Sequence, residues 1–197
     1  MELTASLFTS LKTFLRGWNV TIVYETVKLN DGRTATLDWL KEEDLPEIVE
    51  ALNSVIREGK YLFMDNEITD MEEERRWFER GKKAGMLYLV ARVDGNLIGG
   101  ASIHPHTDKR SHAAEFGIFI RDGYRNLGLG TTIVKMFTEI AKERGFEVLQ
   151  LSVYATNKRA FHVYKKCGYK KCGKLTHDIR FLDGKYTDRI LMELLLK

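Results

Sequence analysis

The chain has 197 residues, 44% hydrophobic and 30% charged, values that suit one folded domain with a sizeable core and exclude a disordered chain or a membrane-spanning bundle. A formal net charge of +3 gives no reason to expect a nucleic-acid partner, because specific binders concentrate basic charge on one face. The two cysteines, Cys167 and Cys172, fit free thiols in a reducing cytoplasm; with no histidines at finger spacing they make no metal site.

Taken in order, Leu7, Phe8, Leu11, Phe14, Leu15 and Trp18 recur at helical spacing, with Lys12 and Arg16 on another face. Polar interruptions and the lack of a small-residue cleavage site argue against a signal peptide. The expectation is a helix packed on the domain or on a second copy, which allows a homodimer and needs no membrane. Val20 to Lys28 and Thr34 to Leu40 alternate around Asn30-Asp31-Gly32, a hairpin signal. Residues 1–33 are therefore read as an extension packed on a domain of residues 34–197. Lys41 to Glu58 carries an apolar face (Leu45, Ile48, Val49, Leu52, Ile56), with Asp44 and Pro46 as cap and first turn. An aromatic connector, Lys60 to Asn66, leads to a second helix from Thr69 to about Gly81, where Thr69 and Glu72 match a capping box.

Strands are expected over Met86 to Val93 and Asn96 to Ile103, turned at Asp94-Gly95, and over Ala113 to Ile120. A helix beginning at about Leu129 runs to Arg144 and ends at Gly145. Phe146 to Val153 reads as a central strand, and Asn157 to Cys167 as a short helix stopped by Gly168. The tail reads as one or two strands turned at Asp183-Gly184. This succession argues for a mixed α/β sheet.

Chemistry concentrates between Phe116 and Thr132. Gly128 and Gly130 follow a strand and open a helix, so bare backbone N–H groups and a helix dipole converge on one anionic group. Thr131-Thr132 in place of Lys-Ser/Thr excludes a Walker loop, and Ile133 breaks a dinucleotide fingerprint. Downstream, Asn157 and Tyr164 lie about two helical turns, ~10 Å, apart on the same side. By themselves they read as an N-cap and a half-buried core residue.

Together, Arg125-x-x-Gly128-x-Gly130 and Asn157 followed by Ala160, Tyr164 and Gly168-Tyr169 resemble the GNAT superfamily of N-acetyltransferases, over roughly Thr34 to the C-terminus. The resemblance implies a mixed, mainly antiparallel twisted sheet flanked by helices, and acetyl-CoA as co-substrate in a gap between two splayed strands. It further implies that Ile118, Phe119 and Ile120 offer backbone groups to the pantetheine arm. Arg125, Asn126, Leu127, Gly128, Leu129, Gly130 and Thr131 would form the pyrophosphate loop, and Asn157 would touch the cofactor from the far side. Tyr164 is placed to protonate the leaving thiolate.

The base is open. Some relatives carry a glutamate where this chain has Ser152, so Glu115 is the best replacement, with His104 and His112 as alternatives. The connector and the last hairpin would shape the acceptor groove, pointing to Phe63, Asp65 and Tyr186. The expected acceptor is a primary amine, either a protein N-terminus or lysine or else a polyamine, amino acid or antibiotic, with the protein amine preferred. A non-catalytic acyl-CoA sensor is the alternative outside enzymology.

Overall fold

The computed structural model describes residues 25–197. The helix expected over residues 7–18 and the start of the first strand lie outside the described residues. One eight-stranded sheet runs in the order β1-β2-β3-β4-β5-β6-β8-β7. Its strands are β1 (Glu25–Lys28), β2 (Thr34–Trp39), β3 (Leu87–Val93), β4 (Asn96–Pro105), β5 (Ala113–Ile120), β6 (Val148–Tyr154), β7 (Lys170–Arg180) and β8 (Tyr186–Leu195). Neighbours pair antiparallel except β5 and β6, which are parallel. Among the described residues, four α-helices flank the sheet: α1 (Leu45–Ile56), α2 (Met71–Lys83), α3 (Leu129–Glu143) and α4 (Lys158–Lys166). Among the described residues, no helix is long and apolar enough to cross a membrane.

Local chemistry explains most boundaries. Pro46 stands in the first turn of α1, where its missing N–H costs nothing. Asp44 precedes that turn but does not cap it; its carboxylate accepts from Arg92 Nη2 (2.6 Å) and from Lys41 N–H (2.9 Å). The cap of α2 differs from the expected capping box. Asp70, not Thr69, accepts from the N–H groups of Glu72 and Glu73 (2.9 and 3.0 Å), and the helix runs on to Lys83. Acidic residues in its first turn and basic ones in its last complement the helix dipole.

At the end of α3, Gly145 has φ +79, its N–H donates to Lys142 C=O, and Phe146 N–H reaches back to Ala141 C=O. That double closure uses Phe146 to finish the helix. The next strand therefore begins at Val148 rather than Phe146 and extends one residue further, to Tyr154.

The sheet separates two cores. On one face α3 and α4 pack with Phe116, Phe137, Leu149 and Tyr164, while on the other α1 and α2 pack with Leu97, Val90 and Phe119. Phe137 is fully buried, with ring centroids 5.5 Å from Phe116 and 6.4 Å from Trp39. Phe137→Ala is expected to destabilise the fold by about 3–5 kcal/mol, read as a lowered urea midpoint.

Candidate active site

The site begins where the sheet divides. β5 and β6 pair only at Ala113 with Val148, Ala114 with Leu149 and Glu115 with Gln150. Beyond that point β5 stays paired with β4 as far as Ile120 and β6 stays paired with β8 as far as Tyr154, but the two strands no longer pair with each other. The resulting cleft is a cavity of about 470 Å³. Its walls include Glu115 to Ile120 of β5, Ser152 and Val153 of β6, the connector residues Tyr61 to Phe63, the loop residues Tyr124 to Asn126, and Asn157 and Tyr164.

Backbone alternation decides which β5 groups reach the cleft. Ile120 pairs with Gly99, and Arg121 N–H donates to Ile98 C=O (2.9 Å). In an antiparallel ladder alternate residues point both polar groups to the same side, so Phe119 points its own toward β4. Phe116, Ile118 and Ile120 point theirs toward the gap. This corrects the expectation for Phe119: its backbone is spent on the sheet, although the residue lines the cavity. The Ile120 carbonyl accepts from Arg125 Nε (2.7 Å), which leaves Ile118 with both groups facing the gap.

The glycine loop forms one end of the cavity. Gly128 has φ +88 and is the N-cap of α3, a conformation that favours a residue without Cβ. A Cβ there would also lie 3.3 Å from Asn30 Oδ1. Asn126 (φ +64) takes the same left-handed region. The first N–H groups of α3, from Leu129 on, are the donors that a helix leaves unpaired. Asn126, Gly128, Gly130 and Thr131 line the cavity. Leu127 and Leu129 do not, because their side chains pack on the core.

Arg125 does something other than meet an anion head-on. Its Nη1 donates to Glu58 Oε2 (2.7 Å), its Nη2 pairs with Glu58 Oε1, and its guanidinium lies 4.7 Å from the Tyr61 ring. Arg159 of α4 also lies 5.5 Å from the Tyr61 ring.

Tyr164 and Glu115 reach the cavity from opposite faces of the sheet. Tyr164 is 7% exposed and stands edge-on to Phe116 at 6.5 Å. Burial holds its phenol above the ordinary tyrosine range, so it carries its proton at neutral pH. Asn157 caps α4 by accepting from Ala160 N–H (3.1 Å), which orients the helix that presents Tyr164. Glu115 lies on the α1/α2 side opposite its partner His104. Arg121, the base with which a purely structural Glu115 would pair, turns instead to Leu97 C=O (3.4 Å). His104 Nε2 is 2.9 Å from Ser102 Oγ, and burial lowers its pKa against the opposing pull of Glu115.

The expected acceptor residues divide. Phe63 lines the cavity and meets Tyr154 at 4.8 Å. Asp65 stands outside it, close enough to Tyr154 to support the rise that burial begins, which takes that phenol up to about 12. Tyr186 is not brought to the cavity; it stacks on His177 at 5.5 Å in the last hairpin. Tyr124 and Arg159 were not foreseen as cavity residues. The signal available for Arg159 was a cation in the first turn of a helix, where the dipole disfavours it.

Residues 36–169 match the model of the Acetyltransferase (GNAT) family. The chain belongs to that family. The L-amino acid N-acetyltransferase AaaT of Escherichia coli (strain K12) is 29% identical over 122 residues, which cover 60% of this chain and 75% of that protein. Spermidine N(1)-acetyltransferase of the same strain is 34% identical over 134 residues, covering 65% and 61%. The solved GNAT superfamily phosphinothricin acetyltransferase of Sinorhizobium meliloti, in complex with acetyl-CoA, shares the fold: TM-score 0.75 at 18% identity, over 82% of this chain and 88% of that one.

The chain is thus an acetyl-CoA-dependent N-acetyltransferase. The cradle fits the co-substrate: side-chain-free positions and helix N–H groups adjoin a cavity that continues along unpaired strand backbone. Gly128→Ala is expected to weaken acetyl-CoA binding at least about fivefold through backbone strain and crowding, measured by titration calorimetry.

Proposed function

We propose that this GNAT enzyme acetylates the primary amine of a small molecule, with Tyr164 as the acid and Glu115 as the base. The observation that carries the reading is that the glycine loop, the unpaired backbone of Ile118, Tyr164 and Glu115 all face one cavity. The loop residues Asn126, Gly128, Gly130 and Thr131 would hold the diphosphate on backbone N–H groups. Ile118 would bond the pantetheine arm and its N–H would steady the carbonyl oxygen as it gains charge.

The reaction then balances without a covalent enzyme intermediate. An alkyl ammonium near pKa ~10 gives up a proton, received by Glu115 directly or through water, and the amine nitrogen attacks the thioester carbon. As the C–N bond forms and the C–S bond breaks, the thiolate takes the phenolic proton of Tyr164. The nitrogen gives up its second proton as it becomes an amide, which restores the phenol through water, and Glu115 releases the first to solvent. The acid and base act from opposite faces of the sheet, so neither neutralises the other.

A small acceptor is favoured over the protein amine expected from the sequence because the acceptor side is bridged. Tyr154 donates its hydroxyl to Leu62 C=O, its ring meets Phe63 and Phe181 (4.8 and 5.8 Å), and Arg189 lies 5.5 Å over Phe63. These contacts tie the connector to the end of β6 and to the last hairpin, across the path an extended peptide would take. The names of the relatives, an amino-acid and a spermidine acetyltransferase, agree with that size class.

A screen of amino acids, polyamines and peptides by CoA release and mass spectrometry tests this. Small amines should turn over and peptides should not; preferred turnover of peptides would overturn the acceptor class, and tight acetyl-CoA binding with no turnover of any amine would favour the sensor. On the best acceptor, Tyr164→Phe should lower kcat by about 10²-fold; an unchanged kcat would remove Tyr164 from the chemistry. Because burial raises the phenol's pKa, the wild-type kcat profile should show no alkaline fall from Tyr164 ionisation between pH 7 and about pH 10. A fall there that Tyr164→Phe abolishes would contradict the upward shift of the phenol while leaving its role as acid in place.

A further inference from the structure

The glycine loop is braced from a part of the chain that precedes the family match. That match starts at residue 36, whereas the turn between β1 and β2 spans Leu29 to Arg33. Asn30 N–H donates to Leu127 C=O (3.1 Å), and Arg33 Nη2 donates to Gly123 C=O (2.9 Å). The Arg33 guanidinium also lies 4.5 Å from the Tyr124 ring, and Asp31 holds its Nε at 2.7 Å. The Asn30 side-chain amide stands beside Gly128, its Oδ1 where an added Cβ would come within 3.3 Å.

The turn is closed on itself and can act as a fixed point. Leu29 N–H donates to Arg33 C=O (2.8 Å) and Gly32 N–H to Leu29 C=O (3.0 Å). In the loop it touches, Gly123, Asn126 and Gly128 all have positive φ (+79, +64 and +88). Glycine takes that region freely but also leaves it freely, so contacts from outside the loop fix its path. A diphosphate cradle made of backbone N–H groups has no side-chain reach to correct a misplaced loop, so its affinity depends on those contacts.

We propose that the β1–β2 turn is a positioning element for the diphosphate of acetyl-CoA, Asn30 and Arg33 acting through residues 123–128 without touching the co-substrate. This rests on the reading that the glycine loop holds the diphosphate. The hairpin thereby adds to co-substrate affinity while leaving the acetyl-transfer groups alone.

Asn30→Pro isolates the effect. Asn30 is the second residue of its turn, a position that proline favours, so the substitution removes the donor to Leu127 and keeps the turn. Arg33→Ala removes the other donor. Full-length variants are titrated calorimetrically with acetyl-CoA, and S-acetylpantetheine, which keeps the reactive arm but lacks the diphosphate and nucleotide, is measured by displacement. Each hairpin variant should bind acetyl-CoA roughly 3- to 10-fold more weakly, with S-acetylpantetheine affinity unchanged.

Equal weakening of both thioesters would mean a general structural role and overturn the inference. Unchanged acetyl-CoA affinity in the hairpin variants, with Gly128→Ala still weakened, overturns this inference alone; unchanged affinity in all three overturns the glycine-loop reading as well. Should Asn30→Pro fail to fold, Arg33→Ala decides by the same comparison.

Discussion

The constraint on which the site rests is the seam between β5 and β6, where two neighbours in the middle of an eight-stranded sheet stop pairing after Glu115 and Gln150. Backbone N–H and C=O groups inside a fold demand partners, and the seam leaves those of Ile118 without a strand to meet. β4 continues to hold β5 from its other edge, so the exposed groups keep strand geometry instead of relaxing. An extended molecule bearing amide groups satisfies them as a missing strand would. The cleft is thus a gap made by omission, held open because β4 keeps β5 and β8 keeps β6 after the two stop pairing with each other.

The seam also bears on how the proposed acid and base would coexist. Side chains on successive strand residues point to opposite faces, which sends Phe116 toward α3 and α4 and Glu115 toward α1 and α2. Elsewhere the sheet itself insulates one face from the other. At the cleft a phenol anchored on α4 and a carboxylate on β5 face the same space, each in its own surroundings. Tyr164 is wrapped by Phe116 and Tyr169, which favours its neutral form, while Glu115 is exposed.

Much of this was legible before any coordinates. The hairpin turns at Asn30-Asp31-Gly32, Asp94-Gly95 and Asp183-Gly184, and the glycine that stops α3, carry local backbone demands that only a few residue types meet, so they announce themselves. The pairing of Gly128-x-Gly130 with Asn157 and Tyr164 is readable only through the family resemblance; by themselves the latter two read as a helix cap and a half-buried core residue. What stayed hidden were contacts between residues far apart in the chain. Arg33 bonds a carbonyl 90 residues away and Arg125 a carboxylate 67 residues away, and neither leaves a periodic trace. The α2 cap was misread because Thr69 and Asp70 both suit that position and only the entry angle of the chain chooses between them. The direction of the Phe119 backbone depended on register with β4, which sequence alone leaves open.

Arg125 occupies the place in the motif where a phosphate contact would be sought, yet its guanidinium is committed to the Ile120 carbonyl, the Glu58 carboxylate and the Tyr61 ring. One cation therefore joins β5, the segment after α1 and the connector at Tyr61. It works as a keystone: the spacing between these walls of the cavity is set by one group, and a chain lacking it would keep every contact surface while losing their alignment.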